Sequence, residues 1–323
     1  MLDVTKNAPQ MAIMHWGQAF KNFFAGVDEY PTFKKKGRHD SFTLTNDQLA
    51  IKGRKVHIPK LGWVHMHEAL RFIGRVVEGT ISRTADRWFV SVTAEMPDPL
   101  RIHRERPAAG GVDLGVSALA TLSTGEKIVG PQAYAAALAR LRGVSKQFSR
   151  QMEAAKVRAG LEPGEPVPKG MHIPWSENMR KTQRRIARIH ARIANIRAHT
   201  LHQLTTDLVE RFDVIAIEDL NVAGMLKNHP LARAMADMGF GEFRRQLEYK
   251  AAQRGKTVII VNRWYPRSKT CASCGYPIPK MPLAVQGWTC PECHTHHDRD
   301  INAAINLRRV SESSVRGSSP VPA

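Results

Sequence analysis

At 323 residues, with 42% hydrophobic side chains, the chain is long enough for two or three domains. Forty-eight Lys and Arg against 29 Asp and Glu give a net charge of +19, an excess that favours a polyanionic partner, nucleic acid above all. No basic-then-apolar leader opens the chain and no stretch approaches ~18 apolar residues, so a secretory signal, a transmembrane helix and a membrane partner are not expected, and a reducing, cytoplasmic location is.

Residues 1–30 read as a helix, with Met11, Met14, Ala19, Phe20, Phe23 and Phe24 on a rough apolar face. Lys34, Lys35 and Lys36 follow, with Tyr30, Phe33 and Arg38 beside them. Such a cluster suits a phosphate backbone with bases or sugars nearby, although a solvated charge run has the same composition. Residues 41–96 read as all-β. Strand candidates are 41–45, 50–58, 74–82 and the alternating run from Trp88 to Ala94, with turns at Gly53, Pro59, Gly62 and Gly79. A small antiparallel barrel is expected, made basic by Arg54, Lys55, His57, Lys60, Arg75 and Arg83.

After a proline-bearing linker at 97–107 the pattern becomes α/β. Gly110-Gly111-Val112-Asp113-Leu114-Gly115 starts a strand with one acid inside it; residues 117–123 and 127–129 make two more strands around a Gly125-Glu126 turn. A carboxylate inside an apolar strand is costly to bury unless it binds something. Asp113 is therefore the most informative single acid. Residues 133–210 are helical, with a break at 161–175 marked by prolines and glycines. In the second helix Ile186, Ile189, Ile193 and Ile196 recur at helical spacing, and Arg184, Arg188 and Arg192 run along another face. Between positions 139 and 199 stand 14 Lys or Arg against 4 Glu. With so few acidic partners at helical spacing, this charge fits a nucleic-acid duplex better than a solvated hairpin. DVIAIED at 213–219 reads as a buried parallel strand ending in Glu218, where α/β sheets place active sites, with Asp213 and Asp219 as flanking polar residues. Residues 240–254 form another helix and 257–261 another buried strand.

All four cysteines lie near the C-terminal end, paired as Cys271-x-x-Cys274 and Cys290-x-x-Cys293 with fifteen residues between the pairs. This is zinc-ribbon spacing: two knuckles, with turns suited by Gly275 and Glu292, closing one tetrahedral four-thiolate site. Two disulfides are the alternative, disfavoured because nothing else looks secreted. A closed four-sulfur site has no open position, so the one zinc ion is structural. His297-Asp298-Arg299-Asp300 then leads into a helix from Ile301 to Leu307 with small residues on its inner face. Acids there suit the helix dipole, and for one acid taken alone a simple cap is the plainer reading. The Ser- and Pro-rich stretch 311–323 is expected to be disordered.

Asp113, Glu218 and Asp300 make a third pattern. Hydrolysis of a phosphodiester needs an activated water and a stabilised leaving oxygen, and two Mg²⁺ ions held by a few carboxylates supply both. The order GVDLG, IAIEDLN, four-cysteine ribbon, DRDINAAIN resembles the TnpB family of transposon-encoded, OrfB-type proteins over nearly the whole chain. It is also similar to the RuvC half of type V CRISPR effectors. AFKNFFAGVDEYPTFKKK at 19–36 resembles that family's entry to its wedge domain, and RWYPRSKTCASC at 263–274 its approach to the ribbon.

The resemblance implies an α+β multidomain chain. An RNase H-like (RuvC) α/β nuclease core, with a helical insertion and a zinc ribbon, would follow a small β-barrel wedge-type domain. The bounds it suggests are 1–105 for a partial wedge-type barrel with its N-terminal helix and 106–265 for the core, the insertion occupying 133–210. The ribbon would span 266–296, the last core segment 297–310 and the tail 311–323. It places the family's catalytic acids on Asp113, Glu218 and Asp300, with Asp298 an outside candidate for the third role, and two Mg²⁺ ions between them. It implies metal-dependent RNA-guided DNA cleavage with guide RNA and target DNA as partners, most sequence recognition coming from base pairing. Lys34, Lys35, Lys36, Arg184, Arg188 and Arg192 are the expected nucleic-acid contacts. Two departures stand out. The family's upstream strand and helical recognition lobe have no counterpart before the AFKNFF motif, so an N-terminally shortened member is expected. Arg267 sits where the family more often has Ser.

Three other readings compete. A guided DNA-binding protein without cleavage is opposed by the presence of all three acids. A transposase performing DNA strand transfer would use the same acids. A plain zinc-ribbon nucleic-acid binder would leave Asp113 and Glu218 unexplained.

Overall fold

The computed structural model describes residues 5–33, 37, 40–72, 74–97, 107–227, 229–282 and 285–315. Two compact units emerge: Met1–Asp98 with Pro174–Ala191, and Pro99–Ile173 with Arg192–Ala323.

The first unit opens with α1 (Asn7–Phe24), followed by β1 (Ser41–Thr45), β2 (Ala50–Lys52), β3 (Lys55–Ile58), β4 (Gly62–His65), β5 (Arg75–Thr84) and β6 (Arg87–Glu95). These strands are antiparallel, as expected, but they form two three-stranded sheets, β1-β5-β6 and β2-β3-β4. No ladder joins the two into a closed barrel among the described residues. The expected strand at 50–58 is a hairpin, because Gly53 takes a φ of +54° and turns the chain between β2 and β3. Leu44, Leu49, Val56, Ile58 and Ile81 form the core of this unit. Gly79 leaves room for the Leu49 side chain, which would have to shift if a Cβ stood there. In β6 the alternation holds for Val90, Val92 and Ala94, whereas Trp88 is exposed.

The second unit carries β7 (Ala109–Leu114), β8 (Ala120–Leu122) and β9 (Lys127–Ile128), then α2 (Ala133–Arg158) and most of α3 (Glu177–Arg211). After α3 come β10 (Val214–Glu218), α4 (Val222–Leu226), α5 (His229–Met238), α6 (Phe240–Gln253) and β11 (Thr257–Val261). The ribbon strands β12 (Gly287–Thr289) and β13 (His296–Asp298) and the helix α7 (Arg299–Val315) close it. One mixed sheet orders its strands β11-β10-β7-β8-β9. β11, β10 and β7 are parallel, and β8 and β9 return antiparallel. In register, Ile217 of β10 faces Val112 of β7, so Asp113 and Glu218 both fall one residue further along adjacent strands.

The core of this unit joins the sheet residues Val112, Leu122, Ile215 and Ile217 to Leu201 and Leu208 of α3 and to Phe243 and Leu247 of α6. Buried parallel strands read as continuous apolar runs, which is why VIAI was legible. α7 crosses the other side, over β7 and β10, with Ala303, Ala304 and Leu307 fully buried. Gly111 permits that approach, since a Cβ there would strike the backbone of Ala304 and Arg308.

Three expectations about helices need correction. Sequence reading missed the short helix α4 and, although its apolar residues recur at helical spacing, α5. Ile196 is exposed although Ile189 and Ile193 of the same stripe are buried. α7 runs on to Val315, so 311–315 is helical. Ser311 is fully buried and returns its hydroxyl to the Arg308 carbonyl at 2.7 Å; Ser313 does the same to Arg309 at 3.0 Å. Serine hydroxyls satisfied this way fit a helix, which composition alone does not reveal. Residues 316–323 of the expected tail lie outside the described residues.

Candidate nuclease centre and zinc ribbon

Asp113 (β7) and Glu218 (end of β10) are 9% and 5% exposed. Burial of two acids side by side needs a counter-charge, and Arg267 provides one. Its Nε donates to Asp113 Oδ1 at 2.9 Å, and its Nη2 makes a close contact with Glu218 Oε2. Burial still dominates. It raises the Asp113 carboxyl above its usual range against the pull of Arg267. It pushes Glu218 up to about 7, helped by the neighbouring Asp113 charge. The remaining oxygen of Glu218, Oε1, is buried with no hydrogen-bond partner.

Asp300 stands in the first turn of α7, near enough for its charge to add to the upward push on Asp113. Asp298 has other work. Its Oδ1 accepts from the backbone N–H of Asp300 and Ile301, both at 3.1 Å, and its Oδ2 accepts from Lys127 Nζ at 2.7 Å. That is an N-cap with an ion pair. Lys127 lies 3.8 Å from Asp300. Among the described residues the three acids do not stand as a ready-made ligand cluster; the four cysteines do. Asp213 and Asp219 flank β10 as expected: Asp213 accepts from the Ala108 N–H and pairs with Lys256 at 3.3 Å, and Asp219 pairs with Arg244 and Arg263.

The oxygen-only donor set and the orphaned Glu218 Oε1 fit a divalent ion such as Mg²⁺, which takes oxygen ligands.

In the ribbon, Cys271, Cys274, Cys290 and Cys293 bring their sulfurs within 4.8 Å of one another. The Cys271–Cys293 and Cys274–Cys290 separations are both 3.6 Å. A tetrahedron with Zn–S bonds of about 2.3 Å has edges of about 3.8 Å, so the set fits zinc, whereas a disulfide needs about 2.05 Å. Both knuckles turn at the fourth residue after their first cysteine. Gly275 there has φ +83° and His294 has φ +53°. Glu292, singled out from sequence, lies in the turn of the second knuckle, at 291–293. His297 Nε2 lies 3.1 Å from Cys271 Sγ, and its ring packs on Trp288.

Two residues that sequence reading passed over join ribbon to nuclease centre. Asn302 and Asn306, each 1% exposed, sit one turn apart on the inner face of α7. Asn306 Nδ2 donates to the carbonyls of Arg267 at 2.8 Å and Thr270 at 2.7 Å. Asn302 repeats the pair and accepts from the Ala272 N–H at 2.8 Å. Two asparagines at i, i+4 on an otherwise apolar stripe are the signal that would have found them.

The expected nucleic-acid contacts fare differently. Lys34, Lys35 and Lys36 lie outside the described residues. Arg184 pairs with Glu177 at 2.6 Å, and Arg188 grips Asp86 of the β5–β6 turn, with Nε 3.0 Å from Oδ1. The stripe is thus not free of acidic partners: one partner lies seven residues back and the other on a strand turn, beyond the reach of helical spacing. Arg192 is exposed and makes no ion pair among the described residues. No helix among the described residues is long and apolar enough to cross a membrane.

The model of the OrfB_IS605 family, described as a probable transposase, matches residues 91–229, and that of the Cas12f1-like TNB domain matches 240–307. A Streptomyces pristinaespiralis protein named "Putative RNA-guided DNA endonuclease" is 37% identical over 92% of this chain and 69% of its own length. The Escherichia coli protein of that name, InsQ, is 30% identical over 92% of this chain and 72% of its own. A solved Cas12f ternary complex aligns loosely, with TM-score 0.39 and 13% identity over 89% of this chain and 67% of that one, a likeness too weak to carry an argument. At the identity and coverage of the two bacterial relatives, the chain belongs to the TnpB/OrfB family.

Proposed function

We propose that this chain is the nuclease of a transposon-associated, RNA-guided complex that hydrolyses target DNA at Asp113, Glu218 and Asp300. The observation that carries the proposal is the pair of carboxylates buried on adjacent strands beneath α7, with one Glu218 oxygen unpartnered. The mixed sheet supports an RNase H-like (RuvC) core. The three acids would hold Mg²⁺, and bound Mg²⁺ would supply water activation and neutralise the leaving oxygen. With its carboxyl pushed up to about 7, Glu218 carries a proton about half the time at that pH in the metal-free chain, and that proton must leave before it can serve as a ligand. Asp298 fixes the start of α7 and so the placement of Asp300. Asn302 and Asn306 hold the main chain of Arg267 and Thr270 against α7. The four cysteines would hold one structural zinc that braces that same main chain.

Guide RNA and target DNA are the partners this reading requires. The test is reconstitution of the chain with its transposon-end RNA and a matching duplex, in Mg²⁺ and in EDTA. Cleavage in Mg²⁺ alone, giving 5′-phosphate ends and no joined strands, is expected. Joined products would favour strand transfer, and binding without cleavage would leave a guided binder.

Binding itself should rest on phosphates. Arg192→Ala is expected to lower the slope of log affinity against log salt by about one. Arg188→Ala should change the slope less, because Asp86 already answers that charge. Filter binding across a salt series measures both, and an unchanged slope in Arg192→Ala assigns the contact elsewhere.

A further inference from the structure

Two carboxylates in one buried pocket need a positive charge in any state that lacks metal. Arg267 provides it here, from the segment that leads into the ribbon. Its guanidinium is permanently charged and planar, and its fork reaches one oxygen of each acid, Asp113 Oδ1 and Glu218 Oε2. Its main-chain carbonyl is held by both Asn302 and Asn306, so the backbone is anchored while the side chain does the bridging. The guanidinium leaves Glu218 Oε1 unpartnered, so it neutralises the pair without completing its bonding. A divalent cation drawing on the same carboxylates meets a like charge already in contact with them.

We infer that Arg267 is a resident counter-ion of the nuclease centre: it holds Asp113 and Glu218 together in the metal-free chain and yields them when a divalent cation binds. This rests on the reading of the acids as metal ligands. Two consequences follow from charge alone. Metal affinity is held down by the ion pair that must be broken. The metal-free protein, in turn, relies on Arg267 to tolerate two buried acids. A residue that merely shaped the ligand set would act in the opposite sense, because its loss would weaken metal binding.

The experiment uses the full zinc-loaded chain without nucleic acid, titrated with Mn²⁺ and read by the electron paramagnetic resonance signal of the free ion. Wild type, Arg267→Gln, Arg267→Lys and Asp113→Asn are compared, and each is also melted as the zinc-loaded chain with no other divalent cation added. Arg267→Gln is expected to bind Mn²⁺ roughly tenfold or more tightly than wild type, the scale on which one adjacent charge moves an ionic equilibrium. It should melt lower than wild type in the absence of added Mn²⁺ and recover when Mn²⁺ is added. Arg267→Lys keeps the charge but not the fork, so it should fall between wild type and Arg267→Gln in both measurements, which separates charge competition from misfolding. Equal or weaker Mn²⁺ binding by Arg267→Gln, with Arg267→Lys folded, overturns the inference. If wild type binds no more Mn²⁺ than Asp113→Asn, the acids are not the metal ligands, and the nuclease reading falls together with the inference.

Discussion

Asp113→Asn is expected to abolish guided DNA cleavage while leaving RNA and DNA binding intact. Asparagine has nearly the shape of aspartate but no charge, so it cannot serve as an anionic ligand. Losing one ligand of a metal centre removes several kcal/mol of transition-state stabilisation, which is roughly a thousandfold or more in rate. The basic surfaces that bind phosphate are untouched, so affinity should stay within about twofold, as for surface changes remote from an interface. Three companion variants sharpen the result. Glu218→Gln and Asp300→Asn should match Asp113→Asn. Asp298→Asn should keep most of its cleavage and lose at most about 1 kcal/mol of stability, since an asparagine cap is nearly as good as aspartate. The readout is the rate of product formation on a guided duplex target, with binding followed in parallel by filter retention. Wild-type cleavage by Asp113→Asn would remove the acid from the site. Equal loss in Asp298→Asn and Asp300→Asn would reopen which of the two serves as the third acid.

Much of this arrangement could be read before any coordinates, and the legible parts share a cause. A buried parallel strand has no polar face, so VIAI announced β10, and a lone acid inside GGVDLG announced a residue with a task. Cysteine spacing is local, so the ribbon was visible too. What sequence could not show depends on distance across the fold. Arg267 looks like one more basic residue in a basic chain; only the fold carries it to Asp113, 154 positions away. Arg188 looked unpaired because its partner, Asp86, comes from a strand turn 102 positions earlier. The pairing of strands into two sheets in the first unit was likewise hidden, since strand periodicity says which residues face inward but not which edges meet. What sets Asp298 apart from Asp300 is a pair of backbone N–H groups, a matter of cap geometry that composition does not encode.

Loss of the zinc should carry the nuclease centre with it. The ribbon has a thin core: Trp288 with Cys271 and Cys290, and a few half-buried neighbours such as Tyr276 and Ile278. So little apolar area cannot fix the segment by itself, and a zinc held by the four cysteines would supply the difference, about 10–16 kcal/mol in small structural sites. Cys290 is fully buried, and serine in its place offers no thiolate. Cys290→Ser is therefore expected to drop zinc from about one per chain to near none, as metal analysis would show. The damage should not stop at the knuckles. Thr270 and Arg267 precede the first cysteine and hang from Asn302 and Asn306 by their carbonyls, while Ala272, within the knuckle, donates its N–H to Asn302. When the knuckle loosens, those bonds lose their fixed partners and Arg267 loses its hold on the acids. Hydrogen exchange should rise first across 271–298 and next at 265–270 and at the start of α7, with the sheet core around Ile215 and Phe243 unchanged. Cleavage should fall with it, though every acid is still in place. A folded wild-type chain without zinc would sink this account. Exchange confined to 271–298, with cleavage intact, would show instead that the ribbon and the nuclease centre are independent.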